Sequence, residues 1–141
     1  MNATRVLVAG LLAGLVLNVG EAVLHGVLLA DATAAAMTAL GRPATGSNAG
    51  LGSLIGITFV QGVLGMGLVA LLMLRGATRL VAAALAGLAL WASSSVYSAV
   101  YLSAGLPNVM PADVVWYPVG WQLVEYPLAI FIGALAYKPT A

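Results

Sequence analysis

Two glutamates stand inside long apolar stretches of this chain, where a carboxyl group can bind a proton or a cation. Glu21 lies in the first stretch and Glu125 in the last. An ionisable residue at the centre of a membrane helix costs about 2.5–3.5 kcal/mol on insertion scales, and such residues commonly mark functional sites. Two interpretations are open. Either both carboxyls are neutral contacts between helices, because a low dielectric disfavours the charged form, or they form a proton- or cation-coupled site.

His25, the one histidine of the sequence, follows Glu21 by four residues. That spacing puts both side chains on one face of a helix, where they could relay a proton or contribute two metal ligands. Two ligands are too few for a closed zinc site, a lone histidine is a sparse basis for haem binding, and there is no cysteine. The sequence therefore predicts no metal and no cofactor, and a hydrogen-bonded histidine near the membrane surface is the plainer interpretation.

Enzyme motifs are absent from the sequence. It contains no nucleophile elbow, P-loop, dinucleotide fingerprint or zinc-protease motif, so we expect that the protein is not an enzyme. The five basic residues are scattered and the net charge is +1, unlike the clustered footprint of a nucleic-acid binder. The expected partners are the lipid bilayer and either another membrane protein or a second copy of this chain, and not nucleic acid.

Composition requires that lipid covers most of the surface. Of the 141 residues, 62% are hydrophobic and 6% are charged, whereas a soluble domain carries about 25% charged residues. Crossing about 30 Å of hydrocarbon takes about 20 apolar residues, and four runs are long enough. The first run contains Glu21 and is longer than the apolar core of a signal peptide, so we expect it to remain as a span. The sequence predicts an all-α, four-transmembrane-helix bundle in a single domain, with spans at about 6–30, 51–74, 80–103 and 114–137.

The basic residues predict an orientation for this bundle. Arg5, Arg75, Arg79 and Lys138 fall on one side of a four-span topology, and only Arg42 falls on the other. By the positive-inside rule, both termini are then cytoplasmic.

The loop 31–50 is external in that topology, and we expect it to contain a short helix. Asp31 is suited to cap the helix, and Gly41 followed by Arg42-Pro43 is suited to end it. Because the segment has few charges, this helix should lie at the membrane interface as a lid over the outer mouth of the bundle.

Small and polar residues form a stripe on the first span and a second stripe on the last. The stripes are Gly10, Gly14, Asn18, Glu21 and His25 in the first span, and Pro118, Gln122, Glu125, Ala129 and Gly133 in the last. Steps of three and four residues keep each stripe on one helix face. Small residues at this spacing let helices approach closely in lipid. We therefore expect the first and last spans to pack antiparallel through these stripes.

The rise of about 1.5 Å per residue aligns the two stripes by depth. The alignment pairs Asn18 with Glu125, Glu21 with Gln122, Gly14 with Ala129, and Gly10 with Gly133. The first two pairs are expected hydrogen bonds in the outer half, and the last two are expected close contacts in the inner half. The second and third spans add Gln61, Ser94 and Tyr97 to the outer half. The predicted polar cluster comprises Asn18, Glu21, His25, Gln61, Ser94, Tyr97, Gln122 and Glu125.

Both ends of the chain resemble a set of small, uncharacterised four-span bacterial membrane proteins. The similarity is carried by Gly10-x-x-x-Gly14-x-x-x-Asn18-x-x-Glu21 with the later Ala39-Leu40-Gly41, and by Trp121-x-x-x-Glu125-x-x-x-Ala129-x-x-x-Gly133-Ala134-x-x-Tyr137. It implies a bacterial inner-membrane protein and carries no activity. A mid-membrane glutamate in the first of four spans is also similar to small multidrug resistance transporters, at the level of fold alone. Unlike those proteins, this chain has a second glutamate in its last span and a charge bias that predicts one orientation.

Three functions remain open. The sequence favours a structural or accessory, partner-binding subunit whose polar stripes specify helix packing. The first alternative is a proton- or cation-coupled transporter or channel that uses Glu21 and Glu125. The second is a protein that binds a small lipophilic ligand in an outer-half cavity lined by Trp116, Trp121, Tyr97 and Tyr101.

Overall fold

Four long helices make up most of the chain in a computed structural model that describes residues 2–43, 48–105 and 110–138. Each helix has 25 to 27 residues, which at 1.5 Å per residue is enough to cross a bilayer. The described residues contain no strand. The prediction of an all-helical chain with four candidate membrane spans is therefore confirmed, with ends within a few residues of those expected. Spans 1 to 4 are Ala3–Leu28, Asn48–Leu74, Arg79–Gly105 and Ala112–Ala136.

Spans 1 and 3 change from α-helix to the wider π-helix along their length. The α-helices are α1 (Ala3–Val23), α2 (Ala30–Ala39), α3 (Asn48–Leu74), α4 (Arg79–Trp91), α5 (Tyr97–Val100) and α6 (Ala112–Ala136). The π-helical segments are Leu24–Leu28, Ala92–Val96 and Tyr101–Gly105. All three lie toward the end of the bundle that carries α2, called here the α2 end; the opposite end is the termini end. Short π-helical segments are frequent at functional sites.

The helix α2 follows span 1 directly, so the predicted helix between spans 1 and 2 is present. Gly41 ends it with a φ of 67°, and the backbone N–H of Arg42 bonds back to the last turn at 3.0 Å, as in a Schellman motif. Asp31 lies in the first turn, and Leu29 occupies the cap position. The predicted capping role of Asp31 is therefore wrong, although an acidic side chain in the first turn still suits the helix dipole. Residues 44–47 of the predicted loop lie outside the described residues.

Arginines of spans 1 and 3 bind the last residues of the described chain at the termini end. Arg5 Nη1 donates to the carbonyl of Lys138 at 2.9 Å, and Arg79 Nη2 donates to the carbonyl of Tyr137 at 3.3 Å. Carbonyls at a helix C-terminus carry partial negative charge, which these cations offset. The predicted grouping of Arg5, Arg79 and Lys138 at one end is present, and Arg42 lies at the other.

Small side chains close the half of the bundle nearest the termini. Its core contains the fully buried Met66, Val69 and Ile130, surrounded by alanines of spans 1, 3 and 4. Alanines allow helix backbones to approach closely, which is the main source of helix association in lipid. This half is therefore apolar and tightly packed.

Gly10 and Gly14 of span 1 face span 2 and not span 4. A Cβ at Gly10 would lie 2.5 Å from the Cα of Val63, and one at Gly14 would lie 2.7 Å from the Cα of Phe59. Gly62 completes the contact from span 2, because a Cβ there would collide with the backbone of Gly10 and Gly14. Spans 1 and 2 thus meet through a glycine contact, whereas the prediction pairs Gly10 and Gly14 with span 4.

Spans 1 and 4 do pack against each other antiparallel, as predicted, but through the adjacent face of span 1. A Cβ at Gly133 would lie 2.9 Å from the Cβ of Ala13, and Ala129 packs with Leu17. Successive residues are about 100° apart around a helix, so Ala13 presents a different face from Gly14. The predicted pairing of the two small-residue stripes is therefore wrong in helix face, although it places the spans at the correct level.

Substituting Gly62 tests this contact. Gly62→Ala should lower the free energy of unfolding by about 1–3 kcal/mol, because its methyl group overpacks against a backbone that cannot move aside. Gly67→Ala is the matched control, since nothing lies within 4 Å of a Cβ at that position in the same helix. Unfolding in mixed micelles, followed by circular dichroism, measures both. Equal stability of the two variants would contradict the glycine contact.

Candidate functional site

Glu21 and His25 meet at the point where span 1 changes from α-helix to π-helix. His25 Nε2 lies 3.2 Å from Glu21 Oε2, and the π-helical segment begins at Leu24, between the two residues. The imidazole is half exposed, whereas the carboxyl side chain is 21% exposed. The one-face arrangement predicted from their spacing is thus present, and the contact becomes an ion pair whenever His25 is protonated.

Gln122 joins the same carboxylate from span 4. Its Nε2 donates a hydrogen bond to Glu21 Oε1, the contact that the depth alignment predicts. Gln122 is buried, so the bond is shielded from solvent. Glu21 therefore has one donor on each oxygen when His25 presents an N–H, an arrangement that stabilises a carboxylate.

Glu125 lies one turn further along span 4 and has no such support. It is 8% exposed, and neither of its carboxyl oxygens has a hydrogen-bond partner among the described residues. The group fits against Gly20, where a Cβ would collide with the carboxyl. It also lies close enough to Glu21 for the two to repel each other electrostatically when both are charged.

Trp121 brings an unused donor to the same place. Its indole N–H is buried without a hydrogen-bond partner among the described residues. It lies four residues before Glu125, on the same helix face, and interacts with that carboxyl without reaching hydrogen-bond geometry. A small polar molecule that accepts a hydrogen bond from the Trp121 N–H and donates one to the Glu125 carboxyl would satisfy both groups.

Gln61 is the centre of a second set of hydrogen bonds. The hydroxyl of Tyr126 donates to Gln61 Oε1 at 3.1 Å, and Gln61 Nε2 donates to Ser94 Oγ at 2.9 Å. These bonds connect spans 2, 3 and 4 directly beside Glu125. The next serine, Ser95, is buried and its hydroxyl has no partner among the described residues.

Two members of the predicted polar cluster lie elsewhere. Asn18 Nδ2 donates to the carbonyl of Gly14 at 2.9 Å and to that of Ile55 at 3.5 Å, so the predicted Asn18–Glu125 hydrogen bond is wrong. Its side chain belongs to the face of span 1 that meets span 2. Tyr97 is 66% exposed and stacks on Tyr101 with ring centroids 6.3 Å apart, so it does not join the cluster.

The predicted ring of four aromatic side chains around a ligand cavity is also not formed. A cavity of about 610 Å³ lies at the α2 end, between α2 and the adjoining ends of spans 3 and 4. Trp116 contributes to its wall, whereas Tyr97 and Tyr101 point outward and Trp121 is not part of the lining. Most of the wall is apolar and no charged side chain is part of it.

Several residues of the site escape notice in the sequence. Gly20 and Tyr126 stand next to Glu21 and Glu125 in the chain, but glycine and tyrosine are ordinary in membrane helices and give no signal by type. Trp91 is similar: its Nε1 donates to the carbonyl of Val119 at 2.8 Å and ties span 3 to span 4 beside the site. The run Gly20-Glu21 facing Glu125-Tyr126 becomes visible only when spans 1 and 4 are brought together.

The site offers protons and hydrogen bonds in preference to metal ligands. Within residues 2–43, 48–105 and 110–138, no three histidine, aspartate or glutamate side chains lie close enough to hold a metal ion. The chemistry available is the gain and loss of a proton at neighbouring carboxyls, with an imidazole at the solvent side.

The Gln61–Tyr126 contact can be tested by a double-mutant cycle. Tyr126→Phe and Gln61→Met together should show a coupling energy of about 0.6 kcal/mol, the typical value for a hydrogen bond between membrane helices. The control cycle pairs Gln61→Met with Tyr97→Phe, whose hydroxyl lies outside the cluster, and should show no coupling. The free energy of unfolding in bicelles is the measured quantity, and additive effects in the first cycle would contradict the bond.

No family model, curated protein or solved structure matches this chain. The role of the site is therefore inferred from its own geometry and chemistry.

Proposed function

We propose that this small integral membrane protein is a proton-coupled transporter, with the Glu21–Glu125 pair as its proton-binding site. One observation carries the proposal: Glu125 is buried within a candidate span and both of its oxygens lack a hydrogen-bond partner among the described residues. About 90% or more of buried polar groups in proteins are hydrogen-bonded, and exceptions point to catalytic roles, strain or a bound guest. The chain itself also supplies four helices apolar enough to cross a membrane.

A purely structural role accounts for Glu21 but not for Glu125. A carboxyl that serves as a contact between helices should have a partner on the neighbouring helix, as Glu21 has in Gln122. The partner expected for Glu125 is Asn18, which bonds to backbone carbonyls. The burial of Glu125 therefore has a cost that packing does not offset, and proton binding supplies a reason for it.

In this proposal one carboxyl of the pair is ionised while the other is protonated. Two neighbouring carboxylates in a low dielectric resist being ionised together and titrate as a coupled pair. Glu21 has donors from Gln122 and His25, so it carries the negative charge, and Glu125 holds the proton. Uptake and release of one proton by the pair is then the event that transport would use.

The proposed location follows from the ends of the bundle. The basic residues Arg5, Arg79 and Lys138 gather at the termini end, which supports a cytoplasmic position for both termini. The helix α2 then lies on the external side, at the membrane interface. A bacterial inner membrane is proposed from the resemblance of the first and last spans to small bacterial membrane proteins.

Labelling with a lipophilic carbodiimide tests proton exchange, because the reagent attacks protonated carboxyl groups. Glu125 should be labelled near neutral pH, and the labelling should fall as pH rises and the carboxyl ionises. Mass spectrometry of peptides locates the label.

Asp113 provides the matched control for this experiment. It lies in the first turn of span 4 and is exposed, so it should stay unlabelled near neutral pH. Labelling of Glu125 that does not change with pH in the folded protein would contradict the proposal. That result would indicate a permanently neutral contact between helices.

A second candidate function, a partner-binding subunit, is favoured by one surface. All residues from Asn48 to Ile57 of span 2 are exposed, and nothing lies within 4 Å of a Cβ at Gly52 or Gly56. Small residues four apart on an open face are typical of helices that pair in membranes. Such a face suits a neighbouring transmembrane helix, including that of a second copy.

Cysteine crosslinking tests this surface on a chain that has no cysteine of its own. If two copies pair here, Ser53→Cys should form a disulfide-linked dimer in native membranes. Leu64→Cys is the control. Leu64 lies on the same helix and is 61% exposed, but it lies about 12 Å further along the helix axis than Gly56. Equal crosslinking of both variants, or of neither, would contradict pairing of two copies through this face.

A further inference from the structure

We infer that, in the conformation of this structure, the Glu21–Glu125 pair exchanges protons with the α2 end of the bundle only, along a path called here the inlet, and that His25 is the outermost proton-exchanging group of the inlet. The inference rests on the proposed function of the pair and adds to it a direction and a residue. It follows from where polar groups lie along the bundle, how exposure changes among them, and what closes the opposite half.

Buried polar side chains without partners are confined to one half of the bundle. Among the described residues, the atoms concerned belong to Thr33 of α2, Ser95 of span 3, and Trp121 and Glu125 of span 4. All four residues lie between α2 and the level of Glu125. Groups of this kind are the ones that internal water satisfies, typically with two to four hydrogen bonds per molecule.

Exposure falls step by step from the surface to Glu125. The side chain of His25 is 50% exposed and that of Glu21 is 21% exposed, whereas Glu125 is 8% exposed. His25 Nε2 and Glu21 Oε2 are 3.2 Å apart, a distance at which a proton passes directly. His25 is thus the most exposed of the three side chains and the one nearest to α2.

The half nearest the termini offers no comparable path. The segments that form it are 6–17, 62–74, 80–90 and 128–136, and they contain no titratable, hydroxyl or amide side chain. Their interior is filled by the fully buried Leu17, Met66 and Ile130 and by the Gly10–Gly62 backbone contact. A proton therefore meets an apolar, close-packed layer on that side.

The titratable groups around Glu21 are few. From its own span it faces His25, and from span 4 it interacts with Glu125 and Tyr126. The neighbouring polar groups of spans 2 and 3, Gln61 and Ser94, are neutral. The helix α2, which packs against the π-helical segment of span 1, carries one titratable side chain, the exposed Asp31. His25 is the one residue of this set with an imidazole, a group that can accept a proton on one nitrogen and donate one from the other.

The transfer itself balances without any further reactant. The N–H bond of the His25 imidazolium breaks as an O–H bond forms on the Glu21 carboxylate, which leaves a neutral imidazole. A hydronium ion at the α2 end then gives a proton to the imidazole and becomes water. Once Glu125 has released its own proton, the O–H bond of Glu21 breaks as an O–H bond forms on the Glu125 carboxylate, directly or through one water, and Glu21 is again ionised.

The test uses the whole protein in liposomes in one orientation, with carbodiimide labelling of Glu125 after a rapid pH change as the readout. Ala35→Cys on the exposed side of α2 reports orientation through a membrane-impermeant maleimide. Acidifying the α2 side should raise labelling of Glu125, and acidifying the termini side should not. His25→Gln should slow the response by about 100-fold, the lower range for loss of a positioned proton-transfer group, while the final labelling at low pH stays at the parent level.

Added imidazole separates proton exchange from a structural role of His25. Imidazole supplied on the α2 side should restore the rate of His25→Gln, and Asp31→Asn should respond as the parent does. Equal responses to acid on both sides would overturn the one-sided inlet, and an unslowed His25→Gln would overturn the role of His25. Failure of the proposed function is distinct, because labelling would then respond to pH on neither side in any variant.

Discussion

Lipid cannot accept or donate hydrogen bonds, so each polar side chain within a span must find its partner inside the bundle. This constraint divides the protein into two halves. The half nearest the termini closes through glycine and alanine contacts, and its polar side chains, such as those of Arg5, Arg79 and Tyr137, lie at the very end of the bundle. The half nearest α2 is linked instead by side-chain hydrogen bonds. Glu21–Gln122 joins spans 1 and 4, and Gln61 joins spans 2, 3 and 4.

The helices of the polar half are less regular, with π-helical segments in spans 1 and 3. Serine hydroxyls of span 3 donate there to backbone carbonyls of their own helix. Ser93 Oγ donates to the carbonyl of Ala89 at 2.8 Å, and Ser103 Oγ donates to that of Ala99 at 2.6 Å. Serine bonds of this kind tend to bend helices. They show that this serine run serves its own helix first, with Ser94 as the member that reaches another span.

Glu125 is informative because it is a buried carboxyl whose two oxygens both lack a hydrogen-bond partner among the described residues. Its position beside Gly20 requires a residue without a side chain on span 1, so the protein provides space for the carboxyl but provides no donor with hydrogen-bond geometry. Glu21, one turn nearer to α2, has both space and partners. The two carboxyls of the site therefore differ in their hydrogen bonding, one with partners and one without.

The sequence by itself determined the four candidate spans, the helix between the first two and the grouping of basic residues at one end. These follow from hydropathy, helix rise and helix periodicity, which are local properties. The Glu21–Gln122 contact could be predicted because both residues face the interior of the bundle. A moderate error in the predicted rotation of either helix still leaves their side chains within reach of each other. Only the tertiary structure decided that Gly10, Gly14 and Asn18 turn to span 2. The rotation of a helix about its axis depends on how it packs against all its neighbours. Span 2 contributes Gly62, whose close contact with span 1 cannot be recognised from the sequence alone. The same rotation separates Asn18 from Glu125, so the Glu125 carboxyl lacks the hydrogen-bond partner that the sequence predicts for it.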